Sequence, residues 1–198
     1  MVEIDEKYKL ATKRFGLINW IGFWTLYEKE VLRFLIVWIQ TLLSPIISSL
    51  LFLLVLSVAI GSGRSDMLGF TFITFLSPEL IAMQVIQQSF SHSSSSFMIG
   101  KIQGNIVDIL YAPLSPGEVT FAVSLAATTR SFMIGIVSLF VFYFLVDIEV
   151  KNFYSLIFYT FTSSFILGSV GIIAGLWAEK FDHMASITNF FIVPLSFL

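Results

Sequence analysis

Formal charges punctuate this chain at wide intervals, and the apolar stretches between them are long enough to cross a lipid bilayer. A spanning helix satisfies its own backbone hydrogen bonds and needs about 20 apolar residues for a hydrocarbon layer about 30 Å thick. Between Arg33 and Arg64 lie 30 uncharged residues that include LLFLLVLSVAIG, which predicts a first span over 34–61 with a kink at Pro45. The uncharged stretch from Leu80 to Gly100 predicts a second span over 70–97, with Gln84, Gln87, Gln88 and SHSSSS making its second half polar. A polar half-helix in lipid faces protein or a water-filled path, so these residues are either packing contacts or pathway lining. Further spans are expected over 117–146 and 152–178. The last apolar run, 184–198, has 15 residues, about 22 Å as a helix, and reads as an incomplete fifth span.

Positive charge stays on the cytoplasmic side during insertion. Lys7, Lys9, Lys13, Arg14, Lys29, Arg33, Lys101 and Lys180 fall on one side of these spans, against Arg64 and Lys151 on the other. The amino terminus is therefore expected to be cytoplasmic. Its first 16 residues are charged and lack the apolar core of a secretory signal. Composition agrees with a membrane protein: 57% of residues are hydrophobic, mean hydropathy is +0.90 and only 12% are charged, where soluble domains carry roughly 25%. A net charge of −2 argues against a nucleic-acid partner, and the absence of cysteine excludes disulfides and thiolate metal sites.

Ahead of the first span, Trp20, Phe23, Trp24 and Tyr27 repeat at i, i+3, i+4 and i+7, which predicts an interfacial amphipathic helix over 17–33 with four aromatic rings on one face. Glu28, Lys29, Glu30 and Arg33 follow, and the helix is either a plain anchor or a force-transmitting elbow. The segment 100–115 lies on the cytoplasmic side. Within it Ile102, Ile106, Ile109 and Leu110 predict a short amphipathic helix stopped before Pro113. Ser115-Pro116-Gly117-Glu118 is a helix start, with serine as cap, proline at the first helical position and glutamate reaching back to the cap amide. A short helix that feeds directly into a span is suited to receive a push from a soluble partner.

These residues resemble the permease subunits of ABC-2 type ATP-binding-cassette exporters, which include drug, polysaccharide and nodulation-factor exporters. The resemblance runs along the whole chain, through WTLYEKEVLRF, FLSPELIAMQVIQQSF, GKIQGNIVDILYAPLSPGE and NFFIVPLSFL, and GNIVDILYAPLSPGE is its most specific part. It implies an all-α, polytopic transmembrane domain of the type V exporter kind, with five of six expected spans present. It also implies that Gly104, Asp108, Leu110, Pro113, Ser115, Pro116 and Glu118 couple the chain to an ATP-binding subunit. A second permease copy, membrane lipid around it, a bacterial inner membrane and export of a lipid-like, drug or glycan substrate are implied as well. Two features depart from the family pattern: Glu79 stands where a glycine usually follows the proline before span two, and six spans are usual.

No G-x-x-x-x-G-K-[ST] phosphate loop occurs in the chain, so ATP and magnesium belong on the partner subunit, and no cofactor is expected here. No triad or paired-carboxylate arrangement points to bond chemistry, and His92 has no second ligand at metal spacing. Ser164, Gly168, Gly171 and Gly175 include small residues at four-residue spacing and permit close helix packing, within the chain or between copies. Arg130 is the one charge well inside a span. Burying it costs about 2.5 to 3.5 kcal/mol unless it is paired or reaches the headgroups, so it either snorkels to the cytoplasmic surface or makes an ion pair or substrate contact. The alternatives to an exporter permease are an ion-coupled secondary transporter, which needs the intramembrane acids that are nearly absent here, and a non-transporting scaffold.

Overall fold

The computed structural model describes residues 18–60, 71–146, 148 and 150–197. The tail with Lys7, Lys9, Lys13 and Arg14, and the segment around Arg64, lie outside the described residues. Helices account for nearly all of what is described: α1 (Trp20–Ile36), α2 (Trp38–Ile60), α3 (Phe72–Gln103), α4 (Ile106–Tyr111), α5 (Pro116–Leu145), α6 (Phe153–Trp177), α7 (Phe181–Ile187), a π-helical turn (Thr188–Ile192) and α8 (Val193–Leu195).

Among the described residues, three helices are long and apolar enough to cross a membrane: Trp38–Ala59, Pro116–Leu145 and Phe153–Trp177. The first begins later than 34 because α1 continues through Arg33 and Phe34 to Ile36, and a single non-helical residue, Val37, separates it from α2. Pro45 sits inside α2 and Pro78 inside α3, each removing one helical donor. The 32-residue α3 runs to Gln103, well past 97, and packs against both α6 and α5.

The serines of α3 are its packing surface. Gly168, Gly171 and Gly175 of α6 lie against Ser89, Phe90, Ser93 and Ser94, and a Cβ added to Gly171 would stand 2.6 Å from the carbonyl oxygen of Phe90. Two helices approach this closely only where small residues remove the side-chain layer. Ser89 Oγ donates to the carbonyl of Ser164 at 2.5 Å across the same seam. The small-residue stripe of α6 is thus filled from within the chain. Three apolar clusters complete the core: Phe90, Met98 and Leu167 with the α6–α7 connection; Leu26 and Phe97 with Ala122 and Val123; and Leu53, Leu76 and Leu80 with Phe142.

The aromatic face of α1 divides in two. Trp20 and Trp24 are exposed, whereas Phe23 and Tyr27 pack beside buried Leu26 against α5. The rings touch in sequence, from Trp20 to Phe23, Phe23 to Trp24 and Trp24 to Tyr27, with centroids 5.1 to 6.0 Å apart. The inward stripe is Leu26, Glu30 and Phe34, so a carboxylate occupies the buried side of an otherwise apolar face.

Candidate functional site

The segment joining α3 to α5 is shaped by one glycine. Gly104 has φ +77°, the left-handed conformation that side chains disfavour, and its N–H donates to the carbonyl of Lys101. A Cβ there would meet nothing within 4 Å, so the backbone angle rather than space calls for glycine. This break corrects the expectation of one helix from Ile102 to Leu110. Ile102 belongs to the last turn of α3, and α4 starts only at Ile106 because a left-handed residue cannot continue a right-handed helix. Asp108 lies in the first turn of α4, where a carboxylate suits the positive end of the helix. No residue of α4 is buried; Leu110 is 73% and Tyr111 86% exposed.

Beyond α4 the chain is clamped. The Ser115–Glu118 capping box is present: Ser115 Oγ accepts from the Glu118 N–H at 3.3 Å and Glu118 Oε2 accepts from the Ser115 N–H at 2.5 Å, with Pro116 at the first helical position. The other oxygen of the same carboxylate, Oε1, accepts from the N–H of Asn19 at 2.6 Å. Asn19 caps α1 by accepting from the Gly22 N–H at 3.0 Å, and its Nδ2 donates to the carbonyl of Pro113 at 3.1 Å. Glu118 therefore joins the starts of two helices, through a bond between residues 99 positions apart. Gly22 makes this approach possible, because a Cβ there would lie 2.8 Å from both Asn19 Nδ2 and Leu114 Cδ2. Farther along, the Tyr27 hydroxyl pairs with Thr129 Oγ1 at 2.9 Å, so α1 and α5 run in the same direction.

The seven residues that the resemblance points to thus separate by role. Asp108, Leu110, Pro113 and Pro116 are exposed with Gly104, whereas Ser115 is half-buried and Glu118 buried. At the other end of the segment, Lys101 Nζ donates to the carbonyls of Leu176 and Ala178, tying the end of α3 to the end of α6. A cation at a helix carboxy terminus satisfies carbonyls that have no intrahelical partner.

A second polar group lies where α1, α3 and α5 meet. Arg33 Nη2 is 3.0 Å from Glu30 Oε2, donates to the His92 carbonyl at 3.0 Å and lies 3.5 Å from His92 Nδ1. Glu30 Oε2 is also 3.6 Å from His92 Nε2, and the Phe34 ring stands edge-on to the imidazole. An arginine only donates, so a hydrogen bond to Nδ1 requires the tautomer that carries its proton on Nε2. One turn away Arg130 Nη2 donates to Gln88 Oε1 at 2.8 Å. Arg130 therefore reaches across to α3, where an amide oxygen of the neighbouring helix is its partner. Gln84 is buried, and Gln87 donates to Ser196 Oγ at 2.9 Å. Among the described residues no group of three His, Cys, Asp or Glu side chains is placed to hold a metal ion.

Sequence reasoning missed Asn19, Gly22 and the Glu30–Arg33–His92 group. The signals were present: asparagine directly before an amphipathic stripe is a helix cap, and Glu30 falls at i+4 from Leu26 and i−4 from Phe34 on the apolar face.

Residues 21–198 match the family described as ABC-2 type transporter. The chain is 28% identical over 181 residues to the inner membrane transport permease YadH of Escherichia coli K12, covering 91% of this chain and 71% of that protein. The same figures hold for the YadH permeases of Escherichia coli O157:H7 and Shigella flexneri. No solved structure matches the chain.

Proposed function

This chain belongs to the ABC-2 type transporter family, as a permease subunit of an ATP-binding-cassette transporter, and on that premise we propose that α4 is the surface through which ATP hydrolysis drives it. The ATP and its magnesium sit on a separate ATP-binding subunit, which docks on Gly104, Asp108, Leu110, Pro113 and Pro116. Ser115 and Glu118 act behind that surface, passing its movement to α5 and α1. The permease is a multi-pass protein of the bacterial inner membrane with its amino terminus in the cytoplasm. Two copies enclose the path, and closure of the paired ATP-binding subunits tilts the helices from inward-open to outward-open. The cargo is exported as a lipid-like, drug or glycan molecule, with the aromatic helix α1 moving at the headgroup layer as an elbow.

One observation carries this reading: exposed Leu110 and Tyr111 stand on a six-residue helix whose two flanks are fastened to three long helices, by Lys101 to α6 and by Glu118 to α1 and α5. An apolar tip on a rigid mount supports docking and force transfer. The test is copurification in mild detergent with the ATP-binding subunit. Leu110→Asp together with Tyr111→Asp is expected to abolish copurification and ATP hydrolysis while the permease accumulates normally in membranes. Retention of the subunit by that variant would defeat the assignment.

A further inference from the structure

The polar group between α1, α3 and α5 lies near the end of α1, where Arg33 is the 14th of 17 residues, and midway along the other two helices: Gln88 is the 17th of 32 residues in α3 and Arg130 the 15th of 30 in α5. Gln88 and His92 are one turn apart, about 6 Å in rise. The guanidinium groups of Arg130 and Arg33 therefore arrive at neighbouring turns of one helix face. Among the described residues a single carboxylate, Glu30, stands at ion-pair distance from either arginine, and it is Arg33 that it meets. Among the described residues the acceptor that Arg130 meets is the amide oxygen of Gln88. Among the described residues Arg33 Nε, Arg130 Nε and the fully buried His92 Nε2 have no hydrogen-bond partner, and on the acceptor side Glu30 Oε2 completes no hydrogen bond either, though it faces Arg33 and His92 at 3.0 and 3.6 Å and leaves Arg130 without a carboxylate.

Donors thus exceed acceptors, with two guanidinium groups against one carboxylate and one amide oxygen, and positive charge exceeds negative, around side chains of which Glu30 and His92 are buried and Arg33 is 29% exposed. A phosphate or carboxylate supplies both what the donors lack and the missing charge, and guanidinium groups bind such oxygens in a fork. The same face of α3 continues through Ser91 and Ser95, three and seven residues beyond Gln88. These serines line a cavity of about 330 Å³ with Ser94, Thr188, Met98 and Phe181, so hydroxyls and apolar groups share its walls. We propose that Arg130, with Arg33, Gln88 and His92, seats the anionic headgroup of a transported amphiphile, whose less polar part follows the serine-lined face. This names the substrate class of the permease reading above and rests on it.

The test uses the permease with its ATP-binding subunit in phosphatidylcholine nanodiscs, titrated with dodecyl phosphate and with dodecyltrimethylammonium of equal chain length. Wild type is expected to bind the phosphate at least about tenfold more tightly, a preference that Arg130→Gln erases and Arg130→Lys reduces severalfold. Equal binding of the two amphiphiles by wild type overturns the proposal, as does an unchanged preference in Arg130→Gln. If Arg130→Gln fails to accumulate, wild type and Arg130→Lys decide the matter alone. Dodecyl phosphate is also expected to accelerate ATP hydrolysis. Displacement of it by phosphatidylglycerol, with hydrolysis unmoved by either, would make the occupant a resident lipid and defeat the substrate assignment. Absence of an active ATP-binding subunit from the sample would instead sink the permease reading itself.

Discussion

Two polar junctions hold α1 to the rest of the molecule, one at each end of the helix. At the first, the Glu118 carboxylate gives one oxygen to Asn19 and the other to Ser115, and Asn19 spends its own amide on Pro113 and Gly22. At the second, three buried nitrogens on Arg33, His92 and Arg130 are left without acceptors, and Glu30 Oε2 beside them completes no hydrogen bond. Low local dielectric makes a saturated network rigid and an unsaturated one costly, so the two ends suit different work. The first transmits displacement. The second keeps capacity for something that arrives.

The largest effect separating them is expected from Glu118→Ala. It strips an acceptor from two backbone donors at once and should cost about 3 kcal/mol, read as a lowered unfolding midpoint in detergent. A variant as stable as wild type would show that saturation at this junction contributes nothing. Arg130→Leu should move the other way. Replacing an undercompensated buried cation by an apolar side chain is expected to stabilise the protein, by about 2 kcal/mol in the same assay, while dodecyl phosphate binding is lost. Destabilisation by Arg130→Leu would mean that the second junction is as structural as the first. Asn19→Ala removes a helix cap and one tie to Pro113, for about 1 to 2 kcal/mol and a matching fall in midpoint. Tyr27→Phe, midway between the two junctions, loses one bond to Thr129 and should cost about 0.6 kcal/mol, near the detection limit of a double-mutant cycle with Thr129→Val.

The first junction was half legible in the sequence, because Ser115-Pro116-Gly117-Glu118 is a local pattern whose chemistry is complete within four residues. Its other half, Asn19, comes from 99 positions away, and no periodicity announces that two helix starts will share a carboxylate. The spans expected over 70–97 and 184–198 are not among the described helices long and apolar enough to cross a membrane, whereas three long apolar helices were legible from charge spacing. Gly104 was not, as a backbone angle: the isoleucine spacing from 102 to 110 fits one helix, and only φ shows that the chain breaks there. The second junction was hidden for a different reason. Glu30 and Arg33 sit in a charge-rich stretch that reads as solvated, and His92 reads as one more polar residue in a serine run, until α1 and α3 pack and bring them together.

The π-helical turn Thr188–Ile192 winds one residue more than an α-turn would into the same rise. Successive α-helical residues are rotated by about 100°, so this surplus residue sets the azimuth of everything after it. Deleting one residue between 188 and 192 would swing Pro194, Ser196 and Phe197 together around the helix axis, and Ser196 would leave Gln87. The turn thus works as an indexing notch, choosing which side of the final helix meets α3, and a one-residue deletion there would rotate that side away while barely changing its length.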